Sequence, residues 1–402
     1  MNNNIAITGF GIVGPQSCDK TFFWESFLSK KVFAEINFIP NTNKKFLCGL
    51  EPVIDECLLG NIEKKKRKYV DKQVLYSLVG SDLALKDSEL NLNDTFLQEK
   101  FGVFLGTVYA QVGFGLEQVK KVVIDKSLKI SPYTGLAFYI GASTGEVSTN
   151  FKTKGENCTV VSGANTALDS IMHACNSIKR EVNIAAFAGA SENIVRDFYF
   201  ANMDFFTETK YVPYDQKRSG CFLTNGSGVV LVENLNYAKR RGAKIYAEIL
   251  SYCNFNAHSC FFKLNDDLIF YICKTINSCL EKANLTANDI DLVLPTASGT
   301  FEGDFYEMQA LLQIFKRRKN LIYSPKANIG YFNNIIDLYV AAMAMNTGVI
   351  PCFPENIEAE ISEFNPLLIN NILFGKEIQH VLLLQRDFWG GRLSGMIIKK
   401  HN

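Results

Sequence analysis

The strongest constraint on the fold of this chain is an alternation that runs from one end to the other. Short apolar runs of strand length, such as "NIAITGFGIVG", "FGVFLGT", "VNIAAFAGASE", "GSGVVLVEN", "DIDLVLP" and "HVLLLQR", are separated by segments with apolar residues at helical spacing, such as "RKYVDKQVLYSLVGSDLALKDS" and "LIFYICKTINSCLEKANL". Strands that read as nearly continuous apolar runs are covered on both faces, and strand–helix alternation of this kind builds an α/β protein with mainly parallel strands. At 402 residues the chain exceeds a single hydrophobic core, so two halves are expected. The rhythm divides it at 1–252 and 253–402, with a long irregular insertion at 185–226 in the first half. No linker rich in Pro, Gly or Ser separates the two, which predicts tight packing between them.

One segment has the shape of a site. In "CTVVSGANTALDSI" (158–171) a β-branched run stops at Ser162-Gly163-Ala164-Asn165-Thr166, and Ala167, Leu168, Ile171, Ala174, Cys175 and Ile178 then recur at helical spacing. A strand, a sharp turn and a helix start present unpaired N–H groups that favour an anion, and enzymes seat nucleophiles on such turns. Here the apex is alanine. The four histidines offer no base for it: His173 falls inside the following helix, His258 in a polar segment, His380 at a strand start and His401 at the terminus. Cys158 and Cys175 flank the turn but lie away from the helix start that would lower a thiol pKa. "GFGIVG" has dinucleotide-like glycine spacing after the first strand, yet no helix starts directly behind it and no acidic residue closes a following strand. The residues read unaided give an α/β fold with a site-shaped turn and no visible catalytic set.

Composition removes several function classes. A net charge of +1 argues against a dedicated polyanion binder, and the basic runs at 64–72, 239–244 and 316–320 read as solvated faces or as docking points for a small acidic partner. Eleven cysteines without a CxxC pair or a Cys/His cluster predict free thiols, no metal site and a reducing compartment. The N-terminus lacks a signal-peptide pattern, and no apolar run approaches the ~20 residues needed to span a bilayer. A cytoplasmic protein with neither nucleic acid nor membrane as partner is expected.

Together these pieces resemble the β-ketoacyl-acyl-carrier-protein synthases, condensing enzymes of the thiolase fold. The likeness runs through "IAITGFGIVGP", the 67–88 segment, "KISPYTG", the turn at 162–166, "AFAGASENI", 220–252, "PTASGTFEGDFYE", "SPKANIGYFNN" and the terminal "FWGG". It implies an α/β, thiolase-like fold of duplicated βαβαβαββ halves in a layered α-β-α-β-α arrangement. In that family an elbow cysteine takes the acyl chain and two histidines assist decarboxylation. The elbow motif falls on Ser162 to Thr166, which puts Ala164 at the nucleophile position. The first histidine loop falls on Thr296 to Thr300, with Thr296 at the histidine and Gly303, Asp304 and Glu307 fixing the register. The second histidine position is Tyr331, behind a retained Lys326 and Gly330.

Loss of all three catalytic side chains resembles the chain length factor, the inactive partner of the ketosynthase in type II polyketide systems. The resemblance implies a heterodimer with an active ketosynthase subunit, an acyl carrier protein whose phosphopantetheine arm carries the substrate, and no cofactor of its own. It places Tyr109 at the tunnel gatekeeper position, with Val112, Tyr133, Met203 and Trp389 near other acyl-pocket positions. The family's gating loop falls on Asp387 to Leu393, where Trp389 replaces phenylalanine and Arg392-Leu393 replaces Thr-Asn. The product class the resemblance implies is an aromatic polyketide or a polyene of the aryl polyene or flexirubin type. Two other readings stand beside it: an autonomous condensing enzyme using Ser162, Cys158 or Tyr331, and a scaffold that holds an acyl carrier.

Overall fold

A computed structural model describes residues 4–38, 45–60, 62–64, 67, 70–110, 112–127, 129–194, 206–257, 264–316, 318–319, 321–387 and 391–401. Nine strands form one mixed sheet: β1 (Ile5–Val13), β4 (Phe101–Gly106), β5 (Asn157–Val160), β6 (Ala185–Glu192), β7 (Gly226–Asn234), β8 (Ala247–Asn256), β9 (Leu292–Leu294), β10 (His380–Arg386) and β11 (Arg392–Lys399). β2 (Ala34–Phe38) and β3 (Lys45–Gly49) form a separate antiparallel pair.

The order across the sheet is β5-β4-β6-β7-β1-β8-β11-β10-β9, and it contains the same arrangement twice. In the first half the strands run third, second, fourth, fifth, first, with parallel β5–β4–β6 and antiparallel β6–β7–β1. The second half repeats this with parallel β9–β10 and antiparallel β10–β11–β8, and its third strand is reduced to Ile322, bridged to Val293. The two first strands, β1 and β8, pair antiparallel where Ile5 meets Ile249. The expected join at 252/253 falls inside β8.

Layering follows from which faces are apolar. Helices Thr166–Lys179 and Asn334–Thr347 lie between the halves, where Leu168, Ile171 and Cys175 share one core with Ile336, Tyr339, Phe10 and Ile12. Helix Lys72–Ser88 covers the outer face of the first half through Val74, Leu78 and Val79 against Leu105, Val229 and Leu231. Helices Asp267–Ala283 and Phe301–Phe315 cover the second half with Ile272, Ile276, Met308 and Leu311. This is the thiolase-like α-β-α-β-α arrangement.

Three local expectations change. The "GFGIVG" run lies within β1 up to Val13 rather than after it, and its glycines serve packing: a Cβ on Gly11 would stand 1.8 Å from the Gly80 carbonyl oxygen of the covering helix. The long helix begins at Lys72, because the Asp71 side chain accepts the Gln73 N–H and caps it, leaving the basic run ahead of it. The insertion of the first half starts later than 185, since 185–192 is the fully paired strand β6.

Candidate functional site

The loops that follow β4, β5, β9 and β10 converge at the carboxyl ends of the parallel strands, where open α/β sheets bind ligands. β5 ends at Val160, a 3₁₀ turn covers Gly163–Asn165, and the helix starts at Thr166. Gly163 has φ +59°, a left-handed conformation that glycine adopts without penalty. Thr166 Oγ1 closes the turn by donating to the Gly163 carbonyl at 2.7 Å while accepting from the Ser162 N–H. Asn165 Nδ2 reaches across to the Gln385 carbonyl (3.1 Å) and Ser394 Oγ (2.8 Å), and buried Asp169 accepts from Ser394 and from Arg392. The elbow of the first half is thus fastened to β10 and β11 of the second.

The 296–300 loop is held by two buried carboxylates on the first turns of the Phe301–Phe315 helix. Glu307 accepts the N–H groups of Thr296 (2.9 Å) and Ala297 (2.8 Å) and the Tyr214 hydroxyl. Asp304 accepts from Gly299 N–H, Ser298 Oγ and Tyr214 N–H. Burial, reinforced by the neighbouring Glu307, pushes the Asp304 carboxyl up to about 6. Tyr331 donates its hydroxyl to the Thr296 carbonyl at 2.7 Å, so the two positions expected for histidines are hydrogen-bonded to one another. Burial, with the nearby Cys221 thiol adding to it, holds the Tyr331 hydroxyl well above its ordinary range, so it stays neutral. Lys326 Nζ sits 5.8 Å from the Tyr331 ring centre, bonded to the Pro295 carbonyl (3.0 Å) and paired with buried Asp337 (3.0 Å).

A cavity of about 90 Å³ lies behind the elbow, lined by Tyr109, Ala164, Glu192, Leu223, Lys326 and Tyr331 among others. Half-buried Glu192 accepts from the Val108 and Tyr109 amides and the Thr107 hydroxyl; burial nevertheless pushes its carboxyl up to about 7. Burial and the charges of Glu192 and Asp387 push the Tyr109 hydroxyl up to about 12. An open cleft of about 540 Å³ lies on the other side of Ser162 and Gly163, lined also by Cys158, Asp169, His173, Asp387 and Arg392.

Ala164, Lys326, Tyr331 and Tyr109 therefore meet in one cavity, and Thr296 joins them through its bond to Tyr331. Val112 and Tyr133 are half-buried and are not among the residues lining it, while Met203, Trp389 and His258 lie outside the described residues. Glu192 was missed as a site residue, and Asp387 was named only as the start of the expected gating loop; the signal for Glu192 in sequence is an acidic residue at the end of an otherwise apolar strand.

As chemistry, the site offers no activated nucleophile among the described residues. A methyl group cannot form a thioester. The Ser162 hydroxyl has no hydrogen-bond partner, and burial raises the Cys158 thiol. His173 is exposed on the elbow helix, His380 bonds the Asp289 carbonyl and His401 pairs with Glu248.

The family model for "Beta-ketoacyl synthase, N-terminal domain" matches residues 2–238, and that for "Beta-ketoacyl synthase, C-terminal domain" matches 251–355. This chain belongs to the beta-ketoacyl synthase family. It is 25% identical to the 3-oxoacyl-[acyl-carrier-protein] synthase 2 of Rhizobium meliloti strain 1021, over 99% of each chain. Among solved structures, a beta-ketoacyl synthase from Burkholderia phymatum STM815 superimposes with a TM-score of 0.88 at 18% identity, covering all of both chains. The ishigamide ketosynthase/chain length factor does so with the same TM-score, identity and coverage. Both structural likenesses speak for the fold alone. The turn at 162–166 and the loops carrying Thr296 and Tyr331 stand at one site, and on the register expected from sequence Ala164, Thr296 and Tyr331 fall where the family's chemistry would lie. No described helix is long and apolar enough to cross a membrane.

Proposed function

We propose that this beta-ketoacyl synthase family member is a non-catalytic subunit, a chain length factor, that pairs with an active ketosynthase and shapes the tunnel for an acyl or polyene chain delivered on an acyl carrier protein. The product class is that of type II polyketide, aryl polyene or flexirubin-type biosynthesis. The observation that carries this reading is the coincidence at one cavity of Ala164 with a Thr296–Tyr331 hydrogen bond, a pairing that holds no titratable group near neutral pH. On this reading the chain grows on the partner's side, and the cavity of about 90 Å³ behind the elbow closes the far end. Tyr109 stands at the cavity wall, and steric overlap with a chain that reaches it costs about 1–3 kcal/mol.

The test is reconstitution with a co-expressed active synthase and its carrier protein. Product forms only in the pair, no acyl group appears on this chain by mass spectrometry, and Tyr109→Ala shifts the product to longer chains. A stable acyl adduct on the isolated chain overturns the reading in favour of an autonomous condensing enzyme. An unchanged product length with Tyr109→Ala removes the tunnel role from that residue.

A further inference from the structure

The apex of the elbow has a neighbour that an acyl-accepting turn does not want. The Ala164 N–H donates to Asp387 Oδ1 at 3.0 Å, and a Cβ on Gly163 would stand 1.8 Å from that same oxygen and 2.3 Å from the carboxyl carbon. An amide at this point of an elbow is where negative charge on a reacting acyl oxygen is stabilised, since donors are held there without a partner of their own. Here the partner is internal and charged. Glycine at 163 is what permits so close an approach.

Asp387 is held in place from several sides. It follows β10, its own N–H donates to the Arg392 carbonyl at 2.8 Å, and it is almost fully buried. Asp169 and His173 of the elbow helix and Arg392 of β11 line the same cleft, Arg386 Nη1 donates to the Asp387 carbonyl at 3.4 Å, and Asp387 acts electrostatically on the Tyr109 hydroxyl. Arg392 is bonded to Asp169, and Lys326 on the cavity side is bonded to Asp337 and the Pro295 carbonyl. The group that meets the apex amide is therefore a carboxyl oxygen, in the place an acyl oxygen would take.

We propose that Asp387 occupies the anion position of the elbow with its own carboxylate, so that this pocket excludes an acyl carbonyl independently of the missing nucleophile. The inference rests on reading Ser162 to Thr166 as a degenerate ketosynthase elbow. Two locks follow: no group to attack, and no place for the charge that attack creates. Restoring a thiol alone does not restore acyl transfer.

A thiol introduced by Ala164→Cys reports on the site. The variant is prepared alone, with Asp387→Asn, which keeps the shape and removes the charge, and with Asp387→Ala, which empties the position. Each is labelled with neutral iodoacetamide and anionic iodoacetate, modification is read at residue 164 by peptide mass spectrometry, and thermal melts identify the variants that stay folded. The iodoacetate-to-iodoacetamide rate ratio rises at least about five-fold with Asp387→Asn, as expected for removing a charge a few ångströms away, and Asp387→Ala raises both rates. A ratio unchanged by Asp387→Asn, or a thiol equally unreactive after Asp387→Ala, overturns the proposal. Failure to pair with a synthase leaves this comparison untouched, so the two readings fail separately.

Discussion

Glu192 offers a readout of the site's chemistry that does not depend on group transfer. Its folded pKa of about 7 lies above the ordinary 4.5, with burial as the main cause. A raised acid pKa means the folded state binds the proton more tightly, so the associated stability is fully present below about pH 4.5 and is lost as pH rises through about 7. Glu192→Gln mimics the protonated form and removes that dependence. Chemical denaturation should find the variant more stable than the parent at pH 8 by about 1–2 kcal/mol, a figure below the full linkage because the side chain keeps some solvent contact, with little difference at pH 4.5. A parent whose stability is flat between these pH values contradicts the assignment. This residue was not legible in the sequence. Nothing in "AFAGASENI" distinguishes a carboxyl turned into a cavity from one turned to water, because strand alternation gives the face and not what lies beyond the strand's end.

At the scale of elements, the legible parts were those governed by period and by turn chemistry. The β–turn–helix at 158–171 and the loop held by Asp304 and Glu307 follow from apolar spacing and motif register. What escaped was the joining of segments far apart in the chain: Asn165 to Gln385 and Ser394, Ala164 to Asp387, and Lys326 to Asp337. Lys326 shows why such links matter. It lies on a single turn, Lys326–Ile329, and its partner on the following helix, and both side chains are at most 3% exposed. A buried pair gains little net stability over an apolar replacement, but removing one partner strands the other. Lys326→Met should therefore lower unfolding stability by about 3–5 kcal/mol, and Lys326→Met with Asp337→Leu should recover much of it. Urea denaturation of the two variants checks this, and equal losses in both would show that the pair does not act as a unit.

The whole molecule has two unlike sheet edges. At β9 the sheet continues through Ile322 to Leu368, which covers that end. At the other end β5 pairs only with β4 among the described residues, and Val161 beyond it is 50% exposed. The helix Ala142–Phe151 is fastened to β5 by the Thr159–Thr144 hydroxyl bond (2.8 Å), and the segment entering that helix leaves Phe138 and Tyr139 62% and 58% exposed. Open strand edges beside exposed aromatic groups are liabilities that proteins cover, and on the proposed reading the cover is the active synthase subunit. This joins the element scale to function: β5 leads directly into the elbow, so a partner seated on that edge lies next to the turn that carries Ala164. Replacing Tyr139 and Val161 together by Glu should lower co-purification with the synthase at least about ten-fold, because charges are put into an interface core. The melting temperature of the isolated chain should hardly move, since Tyr139 is 58% and Val161 50% exposed and surface changes usually stay within about 0.5 kcal/mol. Undiminished pairing would place the partner on another face and detach the elbow from the interface.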